Sequence, residues 1–302
     1  MANPRAAGGN RASGGAGFWR PLARHGSDHA LAAVPTVWLA VFFLGPLGFT
    51  VVFSFGHSTF GSVTLGFTWA NYATALSGFY GATFLRTLVF AVTASGLCLL
   101  VAFPVGYFIA RHTTKRRVLA ITLILIPYFS SFLIRIMSLY MLLSRGGFAE
   151  IVINALGLHS GPLDVLDSQT AVFIGMVYAY LPIAVVPLFV VLDRIPEPLI
   201  EASRDLGASR WEAFWLVTWP LSRPGIATAA LLTAVPMLGE LVIPRLLGGS
   251  RGVLMGQAIS QQYLQSQNYP LGSAMAVLVL IAVAIVVGTL AWITKGFQEV
   301  GR

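Results

Sequence analysis

Glu240 and Arg135 are charges set inside two long apolar runs, 226–246 and 118–142. A charge at such a depth in hydrocarbon costs about 2.5–3.5 kcal/mol, so each predicts a partner. Arg135 stands seven residues from the end of its run and Glu240 six from the end of its own. At 1.5 Å per helical residue, that is about 10 Å below the same boundary if both runs cross in one direction. Two readings follow from equal depth. The pair forms a bridge that neutralises both charges, or Glu240 faces a cavity and attracts a cationic solute. Tyr128, Phe129, Tyr178 and Tyr180 are placed to offer ring faces to a cation, or to serve as packing and interfacial anchors. Arg86, near the end of its run, is expected to snorkel.

Covalent and metal chemistry find no footing. The phosphate loop G-x-x-x-x-G-K-[ST], the nucleophile elbow G-x-S-x-G and the zinc helix H-E-x-x-H are all absent. The chain has two lysines, Lys115 and Lys295, neither in a glycine-rich loop. Its one cysteine, Cys98, sits in an apolar run, and its five histidines are scattered. No catalytic residue, metal or cofactor is expected in this chain, and energy must come from a partner.

The elements that hold these residues are set by composition. Apolar residues make up 56% of the 302 and charged residues 10%, against about 25% charged in ordinary soluble domains. Mean hydropathy is +0.78. So few charges cannot cover a water-facing surface, which excludes a soluble enzyme and points to an all-α membrane protein. Six stretches are long enough to cross the bilayer, at about 31–55, 84–110, 118–142, 170–192, 226–246 and 272–292. They make a membrane domain over 31–295. Residues 1–30, with six glycines and Arg5, Arg11, Arg20 and Arg24, read as a disordered basic tail, and 296–302 as a second short tail. The net charge of +8 is distributed by side of the bilayer and does not indicate nucleic acid. Fourteen Lys and Arg fall in the leader, the 111–117 and 193–225 loops and the C-terminal tail, and two (Arg145 and Arg251) in the loops opposite. The positive-inside rule then puts both termini in the cytoplasm. Five of the six runs contain proline, which frees backbone carbonyls that only neighbours or water can satisfy in a bilayer.

The loop 194–221 is the most informative segment. Pro198 suits a helix first turn. Leu199, Ala202 and Leu206 share one helical face, with Glu201, Arg204 and Asp205 largely opposite. Gly207 follows where a left-handed C-cap is expected. Ser209 and Glu212 form an S-x-x-E capping box that starts a new helix into the fifth span. A short amphipathic helix on a glycine turn is suited to enter a groove on another protein; an inert surface connector would share its pattern.

These residues resemble the EAA loop of ABC importer permeases. Glu201, Ala202 and Ser203, then Gly207, then Val217, Thr218, Trp219 and Pro220 keep the spacing E-A-A-x3-G-x9-I-x-L-P, with Ser203, Val217 and Trp219 as departures. The stretches 123–136, 175–182 and 239–249 resemble the first permease subunit of the spermidine/putrescine branch. The resemblance implies a type I importer permease fold in the bacterial inner membrane. Glu201, Ala202, Ser203, Asp205, Leu206, Gly207 and Pro220 would then couple the chain to a cytoplasmic ATPase. It implies a second homologous permease, two copies of the ATPase, which alone bind ATP and Mg, and an external solute-binding protein docking on the loops 56–83, 143–169 and 247–271. It also implies alternating access of a pathway for polyamines such as spermidine and putrescine, the alternative being another small solute, since related branches share much of the pattern. Glu240, Arg135, Tyr128 and Tyr178, read above from their own chemistry, would lie along it. An ion-coupled secondary transporter is the rival from another class. Such carriers are often built as inverted repeats, and no clear internal repeat is present.

Overall fold

A computed structural model of the chain describes residues 33, 35–59, 62–112, 116–158 and 160–298. The expected tail over 1–30 lies outside the described residues, as do 299–302 of the expected tail 296–302. The chain divides between Gly48 and Phe49 into two compact units. Helix α1 (Pro35–Ser54) begins in the first, where a π-helical stretch, Ala40–Leu44, contains Phe42, whose ring centre lies 4.2 Å from that of Trp38.

In the second unit, strands β1 (His57–Thr59) and β2 (Ser62–Thr64) form a small antiparallel hairpin that pairs His57 with Thr64. Asn71 on helix α2 (Ala70–Ala75) ties the chain before it by donating to the Ser54 and Gly56 carbonyls, each at 2.9 Å. The long helices are α3 (Gly78–His112), α7 (Gln169–Arg194), α9 (Arg210–Leu238) and α12 (Tyr269–Gln298). Between them stand α4 (Arg117–Phe129), α5 (Phe132–Leu143), α6 (Phe148–Ala155), α8 (Glu197–Asp205), α10 (Val242–Leu247) and α11 (Met255–Leu264).

The core is the packing of α3, α7 and α9. On α3, Ala91, Ala94, Cys98 and Ala102 form a buried stripe of small residues. Lipid is as apolar as leucine, so helices in a bilayer associate where small residues let backbones approach and dispersion contacts accumulate. Gly225 on α9 shows how close the approach is, since a Cβ there would lie 2.9 Å from Cβ of Val191 on α7. A hydrogen bond of 2.6 Å between Ser95 and Thr233 joins α3 to α9 and satisfies both hydroxyls inside the bundle. Leu85, Val89, Val92 and Leu100 lie exposed on the outer surface of α3, as suits contact with acyl chains.

Six helical segments among the described residues have membrane length and hydropathy, and two depart from the expected bounds. The run 118–142 is not one helix. It breaks at Ser130–Ser131, and the segment of membrane length is Phe132–Ala155. Pro127 lacks the N–H that would bond back along α4. Ser130 then takes the Pro127 carbonyl with its own hydroxyl at 2.6 Å and turns extended, with ψ 159°. The run 226–246 also breaks, at Gly239–Leu241, so that α9 stops at Leu238 and α10 starts at Val242. Arg135 and Glu240 are therefore beside breaks rather than in the middle of unbroken helices. The loops at 56–83 and 247–271 also carry secondary structure of their own, the hairpin with α2 and helix α11.

Candidate functional site

Helix α8 is shaped by local chemistry at both of its ends. Pro198 lies at its first positions. At its other end Gly207 adopts φ +96°, its N–H bonds the Arg204 carbonyl at 2.9 Å, and Ala208 N–H bonds the Ser203 carbonyl at 3.1 Å. This pair of bonds is a Schellman cap, which needs a left-handed residue at the position of Gly207. The capping box follows at once: Glu212 N–H bonds Ser209 Oγ at 3.2 Å, and Ser209 N–H bonds Glu212 Oε2 at 2.7 Å. Ile200 and Ser203 are the half-buried residues of α8, Ile200 packing against the core cluster. Leu199 and Ala202 are exposed, and Leu206 at the tip is 90% exposed. No other part of the described chain covers this apolar face. Glu201, Arg204 and Asp205 line a polar pocket of about 530 Å³ with Ser209 and Arg210.

The helix after the box is not uniform. Residues Phe214–Thr218 form a π-helical turn in which Trp219 N–H bonds the Phe214 carbonyl, five residues back. Pro220 explains it, because its ring would clash with the Leu216 carbonyl four residues earlier, and widening the turn relieves the clash. Trp219, one of the departures from the loop pattern, packs 5.7 Å from Phe103 and 5.3 Å from Trp215.

The second candidate is a cavity of about 520 Å³ lined by Tyr128, Phe132, Arg135, Tyr180, Pro236 and Glu240, among others. Arg135 and Glu240 are 5% and 7% exposed. They share the cavity but do not bridge; the ion pairs among the described residues are Arg117–Asp193 and Arg145–Asp164. Each charge instead serves a broken backbone. The Arg135 guanidinium donates to the Tyr128 carbonyl (3.2 Å), at the end of α4, and to the Ala179 carbonyl (3.4 Å) on α7. Its carbon lies 5.2 Å from the Tyr128 ring centre and 5.8 Å from that of Phe132. Glu240 Oε1 accepts from the N–H groups of Val242 (2.8 Å) and Ile243 (3.2 Å), the first of α10, and Oε2 accepts from the Tyr180 hydroxyl at 2.6 Å. A cation at a helix C-terminus and an anion at a helix N-terminus each meet the favourable end of the peptide dipole. The expected bridge is thus replaced by two caps. Arg135 Nε keeps no hydrogen-bond partner.

Tyr128, Arg135 and Glu240 come together as the sequence suggests, but Tyr178 does not join them. Two residues along a helix turn about 200°, so Tyr178 is exposed while Tyr180 reaches the cavity.

Membrane-length helices around a small-residue core thus carry one short capped helix, which packs on them through Ile200 and leaves Leu199, Ala202 and Leu206 bare, the frame of a membrane protein with a projecting loop. The chain belongs to the family of binding-protein-dependent transport system inner membrane components, whose profile matches residues 102–298. It is a multi-pass inner-membrane permease subunit of an ABC importer, and ATP hydrolysis is not an activity of this family of subunits. It is 34% identical over 223 residues to the spermidine/putrescine transport system permease protein PotB of Escherichia coli K12, covering 74% of this chain and 81% of that one. The PotB protein of Haemophilus influenzae is 31% identical over 217 residues, covering 72% and 76%. The molybdenum transport system permease protein ModB of Azotobacter vinelandii is 29% identical over 171 residues, covering 54% and 71%. Among solved structures, a chain of a bacterial ABC transporter that imports the acidic polysaccharide alginate superposes with a TM-score of 0.67 at 18% identity, covering 89% and 95%. That likeness shows the fold.

Proposed function

We propose that this chain forms half of the pathway of an ATP-driven importer of polyamines such as spermidine and putrescine, and that α8 is its coupling helix. The observation that carries the coupling role is the bare apolar face of α8, with Leu206 at 90% exposure on a rigid cap. An exposed leucine at the tip of a polar loop gains by entering a groove on another protein. Glu201, Ala202, Ser203, Asp205 and Gly207 build that projection, and Pro220 sets the turn that carries it into α9. Both termini and the 193–225 loop face the cytoplasm in this reading, supported by the fourteen-to-two bias of Lys and Arg. The partners are a second homologous permease, two copies of a cytoplasmic ATPase that bind ATP and Mg, and an external solute-binding protein. ATP binding closes the ATPase dimer, the coupling helices move together, and the cavity opens outward.

The polyamine assignment is supported by the likeness to PotB. In the cavity, the Glu240 carboxylate and the Tyr128 and Tyr180 rings provide anionic and π-electron partners for an ammonium group. Arg135 is turned onto carbonyls and rings that absorb its charge. The test is reconstitution in vesicles with the partner permease, ATPase and binding protein, followed by ATP hydrolysis with spermidine, putrescine, molybdate or a neutral sugar outside. Stimulation by the polyamines alone is expected. Stimulation by another solute would replace the substrate and keep the permease, whereas uptake that follows a proton gradient without ATP would overturn the reading.

A further inference from the structure

The Arg117–Asp193 ion pair lies three helical or turn residues before the coupling helix and is used by nothing described so far. Arg117 Nη1 stands 2.5 Å from the Asp193 carboxylate, and Nη2 donates to the Ala110 carbonyl at 3.0 Å. Each charge occupies the wrong end of its own helix. Arg117 is the first residue of α4, where the peptide dipole disfavours a cation, and Asp193 lies in the last turn of α7, where it disfavours an anion. Neither placement serves its own helix. Both make sense only together, at the junction with α3, because Ala110 belongs to the last turn of α3, where carbonyls call for partners from outside the helix. One planar guanidinium therefore joins the ends of three helices by two separate N–H groups, a geometry that a lysine ammonium reproduces poorly.

Asp193 is followed by Arg194, the buried Ile195 and Pro196, and then α8 begins at Glu197. The other end of the loop is also fastened to α3. The Phe214 ring, two residues past Glu212 of the capping box, meets Phe103 at 6.0 Å and Tyr107 at 5.9 Å, both edge to face. The loop that carries α8 is thus suspended from the same end of α3 at both of its roots, by a charged tie and by an aromatic one.

We infer that Arg117 is a positioning residue: with Asp193 it fastens the root of the coupling helix to α3, so that movement of α8 is delivered to α3 as well as to the helices that flank the loop. This rests on the coupling role of α8. The pair is about one-third exposed, so its strength is screened by water and its value is geometric more than energetic.

The experiment uses the full complex in lipid nanodiscs with R117A, R117K, D193A, the exchange R117D/D193R, and G207V as comparator. Two quantities are read: amide hydrogen exchange over 195–206, and the ratio of ATP hydrolysis with ligand-loaded binding protein to basal hydrolysis. R117A and D193A should speed exchange over 195–206, leave 210–214 unchanged, and lower the stimulation ratio about fivefold, the lower end of usual coupling strengths. R117K should fall between wild type and R117A. The exchange variant keeps an ion pair between α4 and α7 but leaves the Ala110 carbonyl without a donor at 117, so its ratio should stay closer to R117A than to wild type. Should the alanine variants fail to accumulate, a lowered ratio in the exchange variant supports the tie and a wild-type ratio there overturns it. Wild-type hydrogen exchange and stimulation in R117A also overturn it. If G207V leaves stimulation intact, the coupling role itself fails, whereas an effect of G207V with none from R117A removes only the tie.

Discussion

Replacement of Gly207 isolates the cap of the coupling helix from every other contribution. Its φ of +96° lies where an L side chain is strained, yet a Cβ built there meets nothing within 4 Å. The penalty is therefore backbone strain without a clash, about 1–2 kcal/mol for alanine. That corresponds to a drop of about 5- to 30-fold in the population of the capped turn. Position 207 itself packs against nothing within 4 Å, so the thermal midpoint of the permease should move little. Asparagine tolerates left-handed backbone better than other side chains, so G207N should lose less than G207A, and the β-branched G207V should lose most. The assay is a binding titration of the ATPase on permease in nanodiscs, with solute uptake in parallel. The expected order of affinity is wild type, Asn, Ala, Val. Unchanged affinity and uptake in G207V would refute the argument, and so would a large fall in thermal stability, which would mean that the turn supports the bundle.

The two buried charges give a contrasting pair. E240Q keeps an oxygen for the N–H groups of Val242 and Ile243 but removes the charge from the cavity, so assembly should persist while uptake of a cationic solute falls at least about tenfold, the equivalent of 1.4 kcal/mol. Normal uptake would remove Glu240 from the pathway and leave it as a helix cap. R135M leaves the Tyr128 carbonyl, at the end of α4, without its donor, and an orphaned buried group costs about 1–3 kcal/mol. A lowered melting temperature in lipid is expected, with R135K intermediate, and a midpoint equal to wild type would show that water or lipid headgroups replace the guanidinium.

Much of this protein is written locally. Long apolar runs need no knowledge of the fold, because the bilayer fixes the length that a helix must have to cross it. The loop around Glu201 was equally legible: Pro198, Gly207, Ser209 and Glu212 act on backbone within a few residues, so their spacing alone specifies helix, left-handed turn and helix. Arg135 and Glu240 were legible as two charges to be brought together, but their depth was counted from run ends that the broken helices do not keep. What local pattern could not say is where the helices stop. Pro127 and Pro244 were visible, but whether a proline bends a span or breaks it depends on which distant groups take the freed carbonyls and N–H groups. Tertiary structure made both charges into caps, brought Tyr180 and not Tyr178 to the cavity, and set Arg117 against Asp193. Arg135 with Ala179, Tyr180 with Glu240 and Arg117 with Asp193 stand 44 to 76 positions apart in the chain, and periodicity carries no information about partners at that separation. A hint existed in Arg117 and Asp193 standing at helix ends that repel them, since a charge placed against its own dipole asks for a neighbour that only the folded chain supplies.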